Sequence, residues 1–361
     1  MVFSNSLLKH QLQALLDQIV KETDNIQNAV LLIEMPNLKW KGASGLANPD
    51  EGIAMEVDDQ IFTASVAKMM TATLAMKLVE SGKMRLDDPI TNHLPGSIIN
   101  GLHDYEGQHY ADTITIRQCL NHTTGLGDNW HDERFMQLIM EEPDKLWKPE
   151  ETIEFVKRNI PPHFPPGQGF SYSDINYNLV GLIIEKITGN TLHAVYRESL
   201  LDPLGMKHTY RQFREEPRPS TPGRGPSHTY YGDFDYTGWK SLSADWAGGG
   251  LQSTTEDLNR FLRAFARNEI FSKPTTREEM FQWIKVGKDT FYGLGIVRGV
   301  YEEKGLGEIW GHIGASSCFM FYWPDKDVTF CGTFNQVKCD GKFSEVFPDI
   351  IEIMKENQVW K

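Results

Sequence analysis

Ser65-Val66-Ala67-Lys68, at the front of the apolar run from Ile61 to Val79, pairs a nucleophile with a base. A helix beginning near Ser65 would put Lys68 three residues on, with its amine leaving the same face as the hydroxyl. A serine hydroxyl is a weak nucleophile until a base takes its proton, and a lysine serves as that base only when neutral. Burial or a cationic neighbour lowers a lysine pKa toward that state, and Ile61, Phe62, Val66, Ala67, Met69 and Met70 supply a dry setting. The helix N-terminus adds N–H groups and a positive dipole end beside an oxygen that becomes negative in acyl transfer. Chance produces this spacing about once in a chain of such composition, and Ser6-Leu7-Leu8-Lys9 carries it too. That copy sits among Gln11, Gln13, Asp17 and Gln18 on a polar amphipathic helix, where a lysine stays charged. Context, not pattern, selects Ser65.

Two downstream elements support the choice. Tyr172-Ser173-Asp174 follows the turn-rich Pro165-Pro166-Gly167-Gln168-Gly169-Phe170 and precedes an apolar helix from Tyr177 to Ile187, so the tyrosine sits on a loop. His312-Ile313-Gly314 lies between Ile309-Trp310 and an expected strand from Cys318 to Trp323, with Gly311 and Gly314 allowing close backbone approach to a ligand. Taken alone, Tyr172 reads as a packed ring with a tethered hydroxyl and His312 as a hydrogen-bonded strand-edge residue.

In order and position the three elements resemble the serine β-lactamase and penicillin-binding-protein superfamily, whose signature is Ser-x-x-Lys, then Tyr-x-Asn, then Lys/His-x-Gly. The placement is similar to class C β-lactamases, DD-peptidases, D-aminopeptidases and β-lactamase-like esterases. Leu120-Asn121-His122-Thr123-Thr124-Gly125-Leu126, Ala247-Gly248-Gly249-Gly250-Leu251-Gln252-Ser253-Thr254 and Tyr292-Gly293-Leu294-Gly295 extend the resemblance over nearly the whole chain. It implies that Ser65 is acylated, that Lys68 and Tyr172 form a joint base, and that His312 completes the catalytic set as an electrostatic group. It also implies an oxyanion hole from the N–H groups of Ser65 and Ala315, and substrate contacts at Asp174, Gly314 and Asn121.

Two departures bear on substrate. Asp174 stands where penicillin-active relatives have asparagine, exchanging an amide that donates for a carboxylate that only accepts when ionised. It can pin a protonated Lys68, attract a substrate amine or repel a substrate carboxylate. Ile313 replaces the Thr or Ser whose hydroxyl binds a substrate carboxylate in Lys-Thr-Gly enzymes. Both changes favour an esterase or amidase/peptidase on small esters or D-amino-acid compounds. An acyltransferase, a DD-carboxypeptidase or weak β-lactamase, and a slow binding or sensor protein are the alternatives.

Competing chemistries lack their signatures. No G-x-S-x-G elbow occurs, since Gly42-Ala43-Ser44-Gly45 has the wrong spacing, and the eleven histidines form no H-E-x-x-H. His103, Asp104, His109 and Asp112 read as a polar surface loop, His122 as a structural residue at a turn, and Gly248 to Gly250 as tight packing rather than a phosphate loop. No metal and no cofactor is expected. A net charge of −13 argues against nucleic acid or an anionic membrane, which leaves a small-molecule or short-peptide substrate. Cys119, Cys318, Cys331 and Cys339 are too irregular for a disulfide scaffold or zinc ribbon. The absence of a membrane-spanning run or signal peptide favours the cytoplasm, with an exported protein whose signal peptide has been removed as the alternative.

With 361 residues, 40% of them hydrophobic, the chain can bury one large core. The expected fold is α/β (α+β): an antiparallel sheet from both chain ends, flanked by helices, with a mostly helical region inserted between. Residues 1–64 and 246–361 would form the α/β part of a single β-lactamase-like domain, and 65–245 the helical part. Expected helices cover Ser6 to Glu22, Ile116 to Asn121, Arg134 to Met140, Glu150 to Asn159, Tyr177 to Thr188, Thr255 to Asn268 and Phe343 to Asn357. Expected strands cover Ala29 to Glu34, Leu38 to Ala43, Tyr292 to Val297, Glu308 to His312, Cys318 to Trp323 and Val328 to Phe334. The aperiodic segment from Glu215 to Tyr236 reads as an active-site rim whose aromatics, with Trp239, offer an acyl-binding wall.

Overall fold

The structure, a computed structural model, describes residues 2–302, 306–339 and 341–359. Strands from the two ends of the chain meet in one nine-stranded antiparallel sheet. From one edge the order is Ile284–Lys285, Thr290–Tyr292, Val297–Val300, Glu308–Ile313, Phe319–Trp323, Val328–Thr333, Asn28–Met35, Leu38–Asn48 and Ile53–Ala54. The closing step is the pairing of Asn28–Met35 with Val328–Thr333, in register from Val30 opposite Thr333 to Glu34 opposite Thr329.

Side-chain alternation assigns each face of the sheet to a separate core. Leu31, Ile33, Phe319, Phe321, Trp323 and Phe330 face the terminal helices Val2–Glu22 and Lys342–Glu356, packing on Leu8, Leu12, Leu16, Phe343, Phe347 and Ile351. Val30, Leu32, Met320 and Cys331 face the other way, into the core that holds the helix Ala67–Glu80. That helix is apolar on nearly every side, as expected of one buried all round. Each Leu or Met it buries is worth about 1.5–3 kcal/mol, which is the margin that lets it carry a fully buried lysine.

Between the chain ends lie helices that include Pro149–Asn159, Asp174–Thr188 and Leu192–Tyr196. The helix at Arg134 to Met140 extends to Glu133–Glu141, and that at Thr255 to Asn268 ends at Ala266. Three details depart from the sequence reading. Ile61–Phe62 belongs to a small three-stranded sheet with Leu251–Ser253 and Tyr210–Arg211, so the apolar run opens as a strand and becomes helical only after a 3-10 turn at Ala64–Val66. The stretch from Tyr292 to Val297 is two strands separated by Gly293-Leu294-Gly295-Ile296, because the loop must pack on the Ala67–Glu80 helix. Cys318 precedes its strand; it, Cys119 and Cys331 are buried free thiols. No helix among the described residues is long and apolar enough to cross a membrane.

Candidate active site

Ser65 sits where backbone is forced into a sharp corner. Ala64, directly before it, has φ +44°, a left-handed conformation that costs a non-glycine residue about 1–2 kcal/mol. Neighbouring contacts hold the corner: Thr63 N–H and Oγ1 both donate to the Leu251 carbonyl at 3.0 Å, and Ser316 Oγ donates to the Phe62 carbonyl at 2.8 Å. The result lifts Ser65 to a partly exposed position while Val66, Ala67 and Lys68 turn inward. In the other Ser-x-x-Lys copy, Ser6 and Lys9 are both exposed.

Lys68 is 0% exposed, and its three protons have three acceptors. Nζ donates to Ser65 Oγ at 2.9 Å, to the Gly248 carbonyl at 3.0 Å and to the Asp174 carboxylate in a close ion pair. It also lies 5.0 Å from the Tyr172 ring centre and 5.5 Å from that of Tyr177. Burial works against the charge, but Asp174 and Asp245 outweigh it and hold the amine above its ordinary pKa. The dry setting alone points to a neutral lysine; the two carboxylates reverse that outcome.

Asp174 occupies the first position of the Asp174–Thr188 helix, where the helix dipole favours an anion. Its backbone N–H donates to Asp128 Oδ1 at 2.9 Å, and Asp128 Oδ2 holds His131 Nδ1 at 2.6 Å. Asp245 is buried behind the same lysine, and its Oδ1 has no hydrogen-bond partner among the described residues. Burial, reinforced by Asp174, pushes Asp245 well above the usual carboxylate range. Lys68 and Asp174 therefore rest as an ion pair, with the buried Asp245 carboxyl beside them harder to ionise than a solvated one. Two glycines make room for this cluster: a Cβ on Gly248 would lie 2.5 Å from Asp174 Oδ1 and 3.1 Å from Lys68 Nζ, and one on Gly249 would overlap the Asp245 carboxyl.

Tyr172 is partly exposed and faces the Ser65 hydroxyl. Desolvation, with Asp174 and Asp245 adding repulsion, raises its phenol well above the ordinary value, so it holds its proton at rest. Its ring stacks on His122, centres 4.3 Å apart. On the opposite wall, the strand Glu308–Ile313 ends at Gly314, where a Cβ would come within 3.1 Å of Ser65 N. The following residue, Ala315, is exposed. His312 is buried, with Nδ1 donating to the Ile313 carbonyl at 2.7 Å and Nε2 held by Tyr292 Oη at 3.0 Å; burial, with Lys68 adding to it, pushes its pKa down to about 3. Asn121 is buried and turned back on its own helix, its amide placed to donate to Thr123 Oγ1 and the carbonyls of Arg117 and Gln118 at 2.7, 3.0 and 3.2 Å.

The structure thus brings Ser65, Lys68, Tyr172, Asp174 and Gly314 together and leaves Asn121 committed to local hydrogen bonds. Sequence reasoning passed over Asp245 and Asp128, which carry no motif and are only recruited by folding. Phe62, Ala64 and Tyr236 form a small apolar cluster beside Ser65, with Trp239, Leu242 and Val337 against it.

An antiparallel sheet with a buried Ser-x-x-Lys helix, a facing tyrosine and a sheet strand that ends at a glycine beside the serine defines a β-lactamase and transpeptidase fold. The chain belongs to the Beta-lactamase family, whose model matches residues 12–352. It is similar to the D-amino acid amidase of Ochrobactrum anthropi SV3, solved complexed with L-phenylalanine amide (TM-score 0.81, 25% identity, 97% of this chain and 99% of that one). It is also similar to a D-stereospecific amidohydrolase from Streptomyces sp. (TM-score 0.76, 26% identity, 91% and 94%). Penicillin-binding protein 4 of Amycolatopsis lactamdurans is 32% identical over 164 residues, 45% of this chain and 39% of that protein. The chain spans 34% to 56% of the length of the curated relatives it matches first.

Proposed function

We propose that this chain is a serine hydrolase that forms an acyl-enzyme on Ser65 and acts on small amides or esters bearing an amine, with D-amino-acid amides the leading class. The observation that carries the reading is Lys68 Nζ, 2.9 Å from Ser65 Oγ and paired with a carboxylate. As an ammonium, Lys68 has no lone pair for the serine proton. Asp174, whose pKa burial raises against the pull of Lys68, is the acceptor that resolves this. A proton passed from Lys68 to Asp174 leaves a neutral pair, so no net charge crosses the dry site, and the freed amine takes the Ser65 proton as Oγ attacks. Tyr172, still protonated, then delivers a proton to the leaving amine or alkoxide and takes one back from the Lys68 ammonium, after which the Asp174 proton returns to Lys68 and restores the ion pair. The amides of Ser65 and Ala315 would receive the developing oxyanion; losing one such donor typically costs about 2.7–4 kcal/mol.

Substrate class follows from charge and from the relatives. The carboxyls of Asp174, Asp245 and Asp128 make the site acidic, and Ile313 offers no hydroxyl, which disfavours a substrate carboxylate and suits a free amine. The two similar structures are those of a D-amino acid amidase and a D-stereospecific amidohydrolase. The cluster of Phe62, Ala64 and Tyr236 with Trp239 and Leu242 provides an apolar wall for the acyl side chain.

The test is to incubate wild type and Ser65→Ala with a D-alanyl anilide, a short-chain chromogenic ester and a chromogenic cephalosporin, following release and intact mass. Turnover with a mass adduct that disappears in Ser65→Ala is expected, fastest on the D-alanyl anilide. Equal behaviour of the two proteins refutes the serine acyl-enzyme, and a burst without turnover marks a sensor.

A further inference from the structure

Two fully buried histidines border the site, and the acyl-transfer scheme routes no proton through either. Hydrogen-bond partners fix the protons on both rings. His122 Nδ1 faces two donors, the Ser173 backbone N–H and Asn176 Nδ2, each at 3.2 Å. The Asn176 amide cannot be reversed, because its Oδ1 accepts from Thr124 Oγ1 at 2.7 Å. His122 Nδ1 is therefore bare and Nε2 carries the hydrogen, which points to Tyr292 Oη at 3.2 Å. His312 is the reverse. Its Nδ1 faces the Ile313 carbonyl, an obligate acceptor, so Nδ1 carries the hydrogen and the bare Nε2 must receive one from Tyr292 Oη at 3.0 Å. One phenol hydroxyl thus accepts from one imidazole and donates to the other.

Tyr292 joins four parts of the site through this hydroxyl and its ring. Its ring stands edge-on to His122, Tyr172 and His312, with centres 4.9, 6.1 and 5.8 Å away. The loop that follows it is seated on the nucleophile helix: a Cβ on Gly295 would lie 2.5 Å from Ala72 Cβ and 3.0 Å from the Lys68 carbonyl. His122 itself has φ +59°, a conformation that persists in a histidine only when its surroundings over-determine it.

We propose that Tyr292 is a positioning residue: its hydroxyl bridges the Nε2 atoms of His122 and His312, whose opposite tautomers their other partners set, and so holds the Tyr172 ring and the His312–Gly314 segment in register around Ser65. The inference rests on the acyl-enzyme reading. A further proton on His122 would sit at Nδ1, which faces only donors, and one on His312 would sit at Nε2, where the Tyr292 hydrogen already points. His122 faces Tyr172, Tyr177, Tyr292, His312 and the Lys68 ammonium, and His312 faces Tyr292, His122 and Lys68. Asp174, the acid that acts on Tyr292, is committed to Lys68.

The experiment is 15N NMR of the histidine-labelled full chain from pH 5 to 8, with His122→Gln and His312→Gln to assign signals, alongside kinetics of Tyr292→Phe on the chromogenic ester. Expected are a neutral Nε2–H signature for His122 and a neutral Nδ1–H signature for His312, both unchanged across the range. Tyr292→Phe should lower kcat by about tenfold to a hundredfold with KM nearly unchanged, and shift the Nε2 signals of both rings while their tautomers persist. A titrating or oppositely protonated ring in wild type overturns the proposal, even if the variant fails to fold. So does a folded variant with kcat within about twofold of wild type. A wild type that never acylates Ser65 yet shows both tautomers as drawn refutes the function and leaves the ordering of the two rings intact.

Discussion

Lys68→Met removes the one buried cation that Asp174 and Asp245 share and keeps the stem volume. Breaking a buried pair by deleting one partner costs about 3–5 kcal/mol, because the remaining charge has no compensation. Here the penalty depends on pH. Without Lys68 the folded protein holds Asp174 protonated well above its unfolded value of about 3.9, so the folded state binds the extra proton and stability falls as pH rises. The slope is about 1.4 kcal/mol per pH unit for one carboxyl, or about 4 kcal/mol between pH 5 and pH 8, and at most about twice that if Asp245 joins. Wild type falls less steeply, because Lys68 pulls down the two carboxyl pKa values that burial raises. The raised pKa of Lys68 gives stability that is complete below its unfolded value near 10.5 and is lost only at higher pH, so Lys68 adds no slope between pH 5 and 8. Urea unfolding of wild type, Lys68→Met and Lys68→Met/Asp174→Asn at pH 5, 6, 7 and 8 measures the difference. The single variant should approach wild type at pH 5 and fall away by pH 8, and Asp174→Asn should restore much of the loss. A penalty that is equal at all four pH values, or a double variant no better than the single, would refute the view that Lys68 and Asp174 are a charge pair.

Gly249→Ala forces a methyl into the Asp245 carboxyl, which is buried and cannot swing into solvent; a loss of about 1–3 kcal/mol is expected from overpacking, read as a lower urea midpoint with an unchanged m-value. Because the displaced carboxyl adjoins Lys68, acylation by the chromogenic ester should slow as well. His122 and His312 are both held below their ordinary pKa by burial. The unfolded chain therefore binds more protons below pH 6.5, and stability should fall on acidification by about 1.4 kcal/mol per unit for each ring, a slope that His312→Asn should reduce in urea titrations between pH 6.5 and 4.5.

Much of this was readable in the chain. The Ser65 and Lys68 pair stood out because apolar residues surround it, and burial of the helix follows from the same residues. The short unbroken apolar runs in Val30 to Ile33 and Phe319 to Trp323 announced strands, and the structure shows both faces covered. The split of Tyr292 to Val297 was not readable, since Gly293 and Gly295 mark a bend only once the helix they press on is known. The two-residue strands at Ile61 and Tyr210 were also invisible, because each is defined by a partner far along the chain and not by its own periodicity.

The sequence by itself determined which chemistry is present: a serine, a lysine three residues on, a tyrosine and a glycine-flanked strand end, because spacing on a helix and backbone freedom at glycine are local properties. The tertiary structure alone decided the charge state of that chemistry. Asp174 lies 106 residues from Lys68, and Asp245, three residues before a glycine run, carries no motif. Their effect depends on distance and on exclusion of water, and both exist only after the two chain ends and the helices between them have packed around one lysine.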